Sequence, residues 1–279
     1  MAVMWGLCRL RPGVYQSRML AHAAAAGVTR PIFILSFDCD TDRDSAAVRP
    51  LHERLRRHGL RPAYAVAGEV LAASATLYRA LGDDSEFLNH GYRRHARFDP
   101  ASGRKTSTFF YDPARPDIWE DDIRRGHAAV AEIVGREPRG FRTPHFGSFQ
   151  TPAALDRLWR LLASLGYRFS SSTGPLFAAM YGPVFRRHGV VEVPVSGCLD
   201  EPAQILDSWG LIAGGAGGRE RLVRQLGDYR KLMGDGVPIV LNMYLDPADI
   251  AGEEAVIAAL ASLGPFAARE SFAALPGIG

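Results

Sequence analysis

The stretch Pro31-Ile-Phe-Ile-Leu-Ser-Phe37, broken at once by Asp38-Cys-Asp-Thr-Asp42, decides how this chain is read. An unbroken run of aliphatic and aromatic residues forms a strand buried on both faces, the kind found in parallel sheets. Its abrupt end puts carboxylates at the C-terminal edge of the strand, where α/β proteins assemble their sites. Asp44 and Ser45 have an ordinary use as turn and cap residues for the helix that follows. Asp38 has none. A carboxylate directly after Phe37 is costly to bury without a partner, so Asp38 and Asp40 are read as functional.

Working outward, Ala46 to His58 has helical periodicity and stops at Gly59, and Arg61-Pro-Ala-Tyr-Ala-Val-Ala67 reads as a second strand, which completes a βαβ unit. Gly68 opens a helix to about Leu81, and Glu86-Phe-Leu-Asn89 is a short strand that delivers His90. Asp99 to Pro116 reads as a loop rich in turn residues that carries Phe109-Phe-Tyr111. Helices over Asp117–Val134, Pro152–Leu165, Arg219–Met233 and Glu253–Leu263 alternate with strands over 167–170, 190–195 and 237–245. Such alternation means a parallel sheet. The glycine-rich stretch 214–218 lacks a following Lys-Ser/Thr and is a poor phosphate cradle. The expected organisation is an N-terminal extension over 1–30 and a single domain over 31–279.

The 279 residues, 47% hydrophobic and 23% charged, suit a large α/β domain. A formal charge of +3, carried by arginines scattered beside Asp and Glu, gives no phosphate-tracking patch, and no nucleic-acid partner is expected. Of 33 basic residues only Lys105 and Lys231 are lysine, which leaves few candidates for Schiff-base chemistry. Cys8, Cys39 and Cys198 are odd in number and unpaired in spacing, arguing against a disulfide framework and a cysteine zinc site. The first 30 residues do not have the order of a secretory signal, and no run approaches the roughly 20 apolar residues that span a bilayer. These features predict a cytoplasmic protein with no membrane span; oligomerisation is left open.

Metal-assisted hydrolysis needs about three protein ligands, a base for the attacking water and a proton donor for the leaving group. Asp40, His90 and His95 are candidate ligands, Asp38 a candidate base, and Arg142 a candidate partner that keeps the base ionised. With these residues in place the chain resembles the NodB-type polysaccharide deacetylases, metal-dependent carbohydrate de-N-acetylases of carbohydrate esterase family 4. Ser36-Phe-Asp-Cys-Asp40 is similar to that family's first motif, in which the first Asp is the base and the later one binds metal. Asn89-His-Gly-Tyr-Arg-Arg-His95 is similar to its histidine motif, and Gly140-Phe-Arg-Thr-Pro-His145 to its Arg-x-Pro motif. Ala63 to Gly68, Val191 to Val195 and Val240 to Pro247 resemble further strand segments. The resemblance implies an irregular (β/α)7 barrel, a divalent metal, most often Zn2+, and removal of an N-acetyl group from an amino sugar or acetylated glycoside, with Asp38 activating the water.

The chain departs from the family at two places. The family spaces its metal histidines four apart, whereas His90 and His95 are five apart with Arg94 at the fourth position; a loop absorbs one extra residue. The family's last motif carries His before Pro where this chain has Asp246-Pro247, and its usual Asp partner falls in Ser170-Ser-Ser-Thr173. Asp246 or His145 is then expected to donate the proton. A barrel that binds carbohydrate or protein without turnover, or one that cleaves a formamide or ureide, are the alternatives. Tyr92, Tyr111, Pro144 and Phe146 are candidate substrate contacts, with Phe109 and Phe110 beside them. His52, His58 and His127 are read as solvated helix residues and His188 as a loop residue.

Overall fold

The first strand is buried along its whole length, as its composition demands, and the alternation of its side chains organises the molecule. The computed structural model describes the chain apart from residues 1, 83, 148, 213, 214, 216, 269, 270 and 279, so two residues of the glycine-rich stretch lie outside the description. The strands are β1 (Ile32–Cys39), β2 (Ala63–Val66), β3 (Phe87–Asn89), β4 (Ala96–Asp99), β5 (Arg104–Ser107), β6 (Gly140–Arg142), β7 (Phe169–Ser171), β8 (Phe185–Arg187), β9 (Val190–Glu192) and β10 (Val240–Leu245). The main sheet runs β10-β1-β2-β3-β6-β7-β9-β8. Seven of its strands are parallel, and β8 pairs antiparallel to β9 at the edge. This is the irregular seven-stranded barrel expected from the sequence.

The β9 and β10 ends of the barrel meet without a regular ladder. Asn242 makes that seam: its backbone carbonyl accepts from the Ser196 N–H at 2.8 Å, and its Nδ2 donates to the carbonyls of Val193 and Pro194 at 3.0 and 3.1 Å. The same Nδ2 also donates to Ser171 Oγ at 3.0 Å.

Successive side chains of a strand face opposite sides, so residues two apart share a face. On β1 the odd positions Leu35, Phe37 and Cys39 pack outward in one large cluster with Val48, Leu51 and Leu55 of the helix Asp42–Arg57. The even positions face the barrel interior. Ile32 and Ile34 meet Ala63, Ala65, Leu88, Phe169, Val191 and Val240 there, and Phe272, Leu275 and Ile278 of the C-terminal segment plug the floor. Each of the Ile, Leu, Val and Phe side chains among them contributes about 1.5–3 kcal/mol on burial. Gly140 is required on β6 because the Phe169 ring, stacked on Phe272 at 4.6 Å, occupies the space of a side chain; a Cβ there would lie 2.1 Å from Phe169 Cζ.

The helices cover the outside. Thr41 and Asp44 cap the helix Asp42–Arg57 reciprocally, a device worth about 1 kcal/mol. Residues 1–30 contribute two helices, Ala2–Leu10 and Pro12–Ala25, which pack on the helix Pro175–Tyr181 and bury Cys8, Tyr15 and Met19 in the main cluster. The segment 99–116, expected as a loop, instead begins as the second half of an antiparallel hairpin of β4 and β5. His52, expected in solvent, is buried with its Nδ1 2.8 Å from the Tyr64 hydroxyl, because its helix turns that face toward β2. Among the described residues no helix is long and apolar enough to cross a membrane.

Candidate metal centre and its cleft

The inward alternation that fills the floor with Ile32 and Ile34 continues upward as Ser36, Asp38 and, just past the strand, Asp40. The same rule carries Leu88 to His90, Gly140 to Arg142, and Asn242 to Tyr244 and Asp246. All of these polar residues are buried, and Asp38, Asp40, His90, Arg142 and Asp246 lie at the C-terminal ends of their strands. Asp38, Asp40, His90, His95, His145, Phe146, Asp207, Trp209, Tyr244 and Asp246 line a cleft of about 340 Å³. A second concavity of about 370 Å³, lined by Arg61, Glu86, Arg136 and Arg139, lies at the opposite ends of the strands, away from this donor cluster.

Asp40, His90 and His95 bring three donor atoms within 4.8 Å of one another. His95 Nε2 lies 2.8 Å and His90 Nε2 3.4 Å from the same oxygen, Asp40 Oδ1. His90 Nδ1 faces the Arg142 carbonyl at 2.8 Å, which fixes the proton on Nδ1 and leaves Nε2 as the free donor. Two imidazoles and a carboxylate, oriented from behind, fit a divalent ion of the zinc type. Burial alone would raise the Asp40 carboxyl, but the adjacent His95 and His90 outweigh it and hold the group well below the usual range. Burial likewise lowers His95, and Asp40 more than reverses it.

The five-residue spacing of the histidines is absorbed by a loop that Asp122 pins. Its buried carboxylate accepts the N–H of Tyr92 and of Arg93 and the Tyr111 hydroxyl, each at 3.0 Å. Gly91 takes a φ of 75° in that loop, and a Cβ there would come within 2.5 Å of Asp122 Oδ2. Arg94 points away, onto Asp42 at 2.7 Å, so His95 and not residue 94 reaches Asp40.

Asp38 Oδ2 is 3.7 Å from His90 Nε2, and Asp38 Oδ1 is 3.7 Å from Arg142, whose other terminal nitrogen donates to Ser36 Oγ at 2.8 Å. Burial pushes the Asp38 carboxyl up, and Arg142 and His90 oppose it. His145 sits at a φ of 52°, with Nε2 3.0 Å from the His95 carbonyl. Burial and the neighbouring His95 push it down to about 4. One nitrogen of its ring is thus committed to a backbone carbonyl.

Of the candidate substrate contacts, Phe146 stands in the cleft wall, stacked on Tyr244 at 5.6 Å. Tyr111 is a core residue packed against Trp119 and Phe149 and bonded to Asp122, so a sugar cannot reach it. Tyr92 carries Arg125 on its ring at 3.9 Å, and neither Tyr92 nor the buried Pro144 is part of the cleft lining. Phe110 is exposed beside His145, ring centres 4.7 Å apart.

Two groups, one in the cleft and one behind its wall, escaped the sequence reading. Asp207 caps the short helix Ser208–Leu211 and accepts the Tyr244 hydroxyl at 2.5 Å; burial pushes its carboxyl up to about 6 against that bond. Lys105 of β5 reaches across to Asp246. Burial and the carboxylates Asp44, Asp40 and Asp249 drive Asp246 well above the usual range, with Lys105 opposing.

No family model matches the sequence, and no curated protein does. Solved structures match the fold. A Pseudomonas aeruginosa protein assigned as a polysaccharide deacetylase aligns with a TM-score of 0.57 at 12% identity, over 86% of this chain and 85% of its own. One from Mycobacterium smegmatis, assigned likewise, gives 0.56 at 18% identity over 83% and 82%. A polysaccharide deacetylase from Bacillus cereus gives 0.50 at 14% identity over 87% and 92%. The barrel is thus the one found in polysaccharide deacetylases, the fold that the motif order implied.

Proposed function

We propose that this chain, with the barrel of the polysaccharide deacetylases, is a metal-dependent hydrolase that removes an acetyl group from the nitrogen of an amino sugar. The observation that carries the reading is the convergence of Asp40, His90 and His95 on one point of a cleft that also presents Asp38. A divalent ion held by those three residues supplies Lewis acidity toward the acetamide carbonyl when bound, and zinc suits the donor set. Asp38 takes the proton of the attacking water, and Arg142, anchored on Ser36, keeps its carboxylate oriented and charged. Asp246, raised by burial, delivers a proton to the departing amine. Phe146 and Tyr244 form an aromatic wall suited to a sugar face. The three thiols are free and buried, which fits a reducing compartment, and we read the substrate as a small N-acetylated sugar or glycoside in the cytoplasm.

The test is metal content and acetate release measured together. Near-stoichiometric zinc in the wild type, lost in His90→Ala and in His95→Ala, with acetate released from N-acetylglucosamine oligomers by the wild type and not by Asp38→Asn, is the expected pattern. Wild type that takes up no metal from zinc-replete medium would sink the reading. Full metal with release of formate or ammonia instead of acetate would move the chemistry to a formamide or ureide.

A further inference from the structure

Lys105 lies on the strand β5, in a segment that the sequence presents as a turn-rich loop, yet its side chain is only 5% exposed. Its ammonium pairs with Asp246, lies 3.4 Å from Asp249 Oδ2 and stands 5.3 Å from the ring centre of Trp209. Asp44 is the third carboxylate acting on it; burial lowers the ammonium, and the three acids together drive it above the usual lysine range. Asp246 is in turn fixed from behind, its N–H donating to Ser208 Oγ at 2.8 Å.

Stability does not explain this pair. Burying an ammonium and a carboxylate costs several kcal/mol per ion, and an apolar pair of similar volume holds two segments together as well or better. Composition sharpens the point. Arginine fills 31 of the 33 basic positions, so a lysine here is a departure from the habit of the chain. An ammonium is a compact charge with three donors and suits three converging carboxylates; a planar guanidinium fork does not. The hairpin that carries Lys105 also returns to the metal centre, since the Thr108 N–H donates to the His95 carbonyl at 2.9 Å. One short segment therefore holds a metal-ligand residue at one end and clamps the cleft wall at the other.

We propose that Lys105 is a positioning residue of this site: the β4–β5 hairpin brings its ammonium to Asp246 from outside the cleft lining and sets that carboxyl where the departing amine needs it. The proposal rests on the deacetylase reading above. In metal-loaded protein assayed with N-acetylglucosamine oligomers, Lys105→Ala is expected to lower kcat by about 100-fold or more, with KM and zinc content unchanged. Propylammonium, which replaces the deleted atoms, is expected to restore kcat saturably, and Lys105→Arg is expected to remain impaired. The double variant Lys105→Met with Asp246→Asn removes both buried charges and guards against misfolding of the single one. It is expected to fold, to be inactive and to resist rescue by propylammonium. An active wild type whose Lys105→Ala keeps its kcat overturns this proposal alone; a folded double variant that stays active overturns it together with the proton-donor role given to Asp246. A metal-loaded wild type that releases no acetate overturns the deacetylase reading and this proposal with it.

Discussion

Replacing Asp122 by Ala should damage the metal centre from a distance, because Asp122 holds the loop that carries both histidines. Its carboxylate is 1% exposed and accepts three donors: the N–H groups of Tyr92 and Arg93 and the Tyr111 hydroxyl. A buried donor left without its acceptor costs about 1–3 kcal/mol. The two backbone groups are partly buried and can recruit water, so each falls at the low end, and the sum is about 3 kcal/mol. Loss of the supports behind a ligand weakens metal binding about 10–100-fold. The assays are urea unfolding of metal-free protein and zinc titration against a competing chelator. Asp122→Asn should fall between the two, because its amide nitrogen turns a donor toward at least one of the three donors. Asp122→Ala that unfolds within about 0.5 kcal/mol of wild type and binds zinc equally well would refute the assignment of the loop geometry to this carboxylate.

Asp207→Asn should flatten the pH dependence of stability in metal-free protein. The folded carboxyl is raised to about 6 from the model-peptide range near 4, so wild-type Asp207 contributes stability that is present below about pH 4 and is lost as pH rises through 6; the difference between the two proteins should change by about 3 kcal/mol across that window, and parallel curves would exclude it. Gly140→Ala forces a methyl against the Phe169 ring and should lower stability by about 1–3 kcal/mol or more in thermal unfolding, with an unchanged melting temperature as the contrary result.

Much of the site was legible because a strand has a period of two. Once Pro31 to Phe37 is read as a buried strand, Asp38 and Asp40 must share a face, and the same counting carries His90, Arg142 and Asp246 to the same end of the barrel. Periodicity says nothing of contacts made by loops. Asp122 lies on the amphipathic helix Pro116–Val134 among other acids, and nothing local marks it as the carboxylate that turns inward. Lys105 and Asp246 are 141 residues apart, and the only trace of their pairing in the sequence is the scarcity of lysine. Tyr111 misled for a related reason. An aromatic residue in a polar segment reads as exposed, but the segment folds back and gives that ring to the core. The floor of the barrel was hidden as well, since Phe272, Leu275 and Ile278 lie in a stretch of turns and short helix with no strand or long-helix period.

The seam at Asn242 divides the cleft into two margins that are held by different kinds of bond. Ladders of main-chain bonds join β10 to β1, β1 to β2, β2 to β3 and β3 to β6, so the staves that bear Asp38, Asp40, His90 and Arg142 form one stiff arc. The other margin of the cleft, Ala203 to Asp207, follows the seam and is tied to β10 chiefly through Ser196, Asn242 and the Tyr244 hydroxyl. The spacing of the reacting groups thus rests on continuous main-chain ladders, whereas the placing of the facing margin rests on a few side-chain bonds.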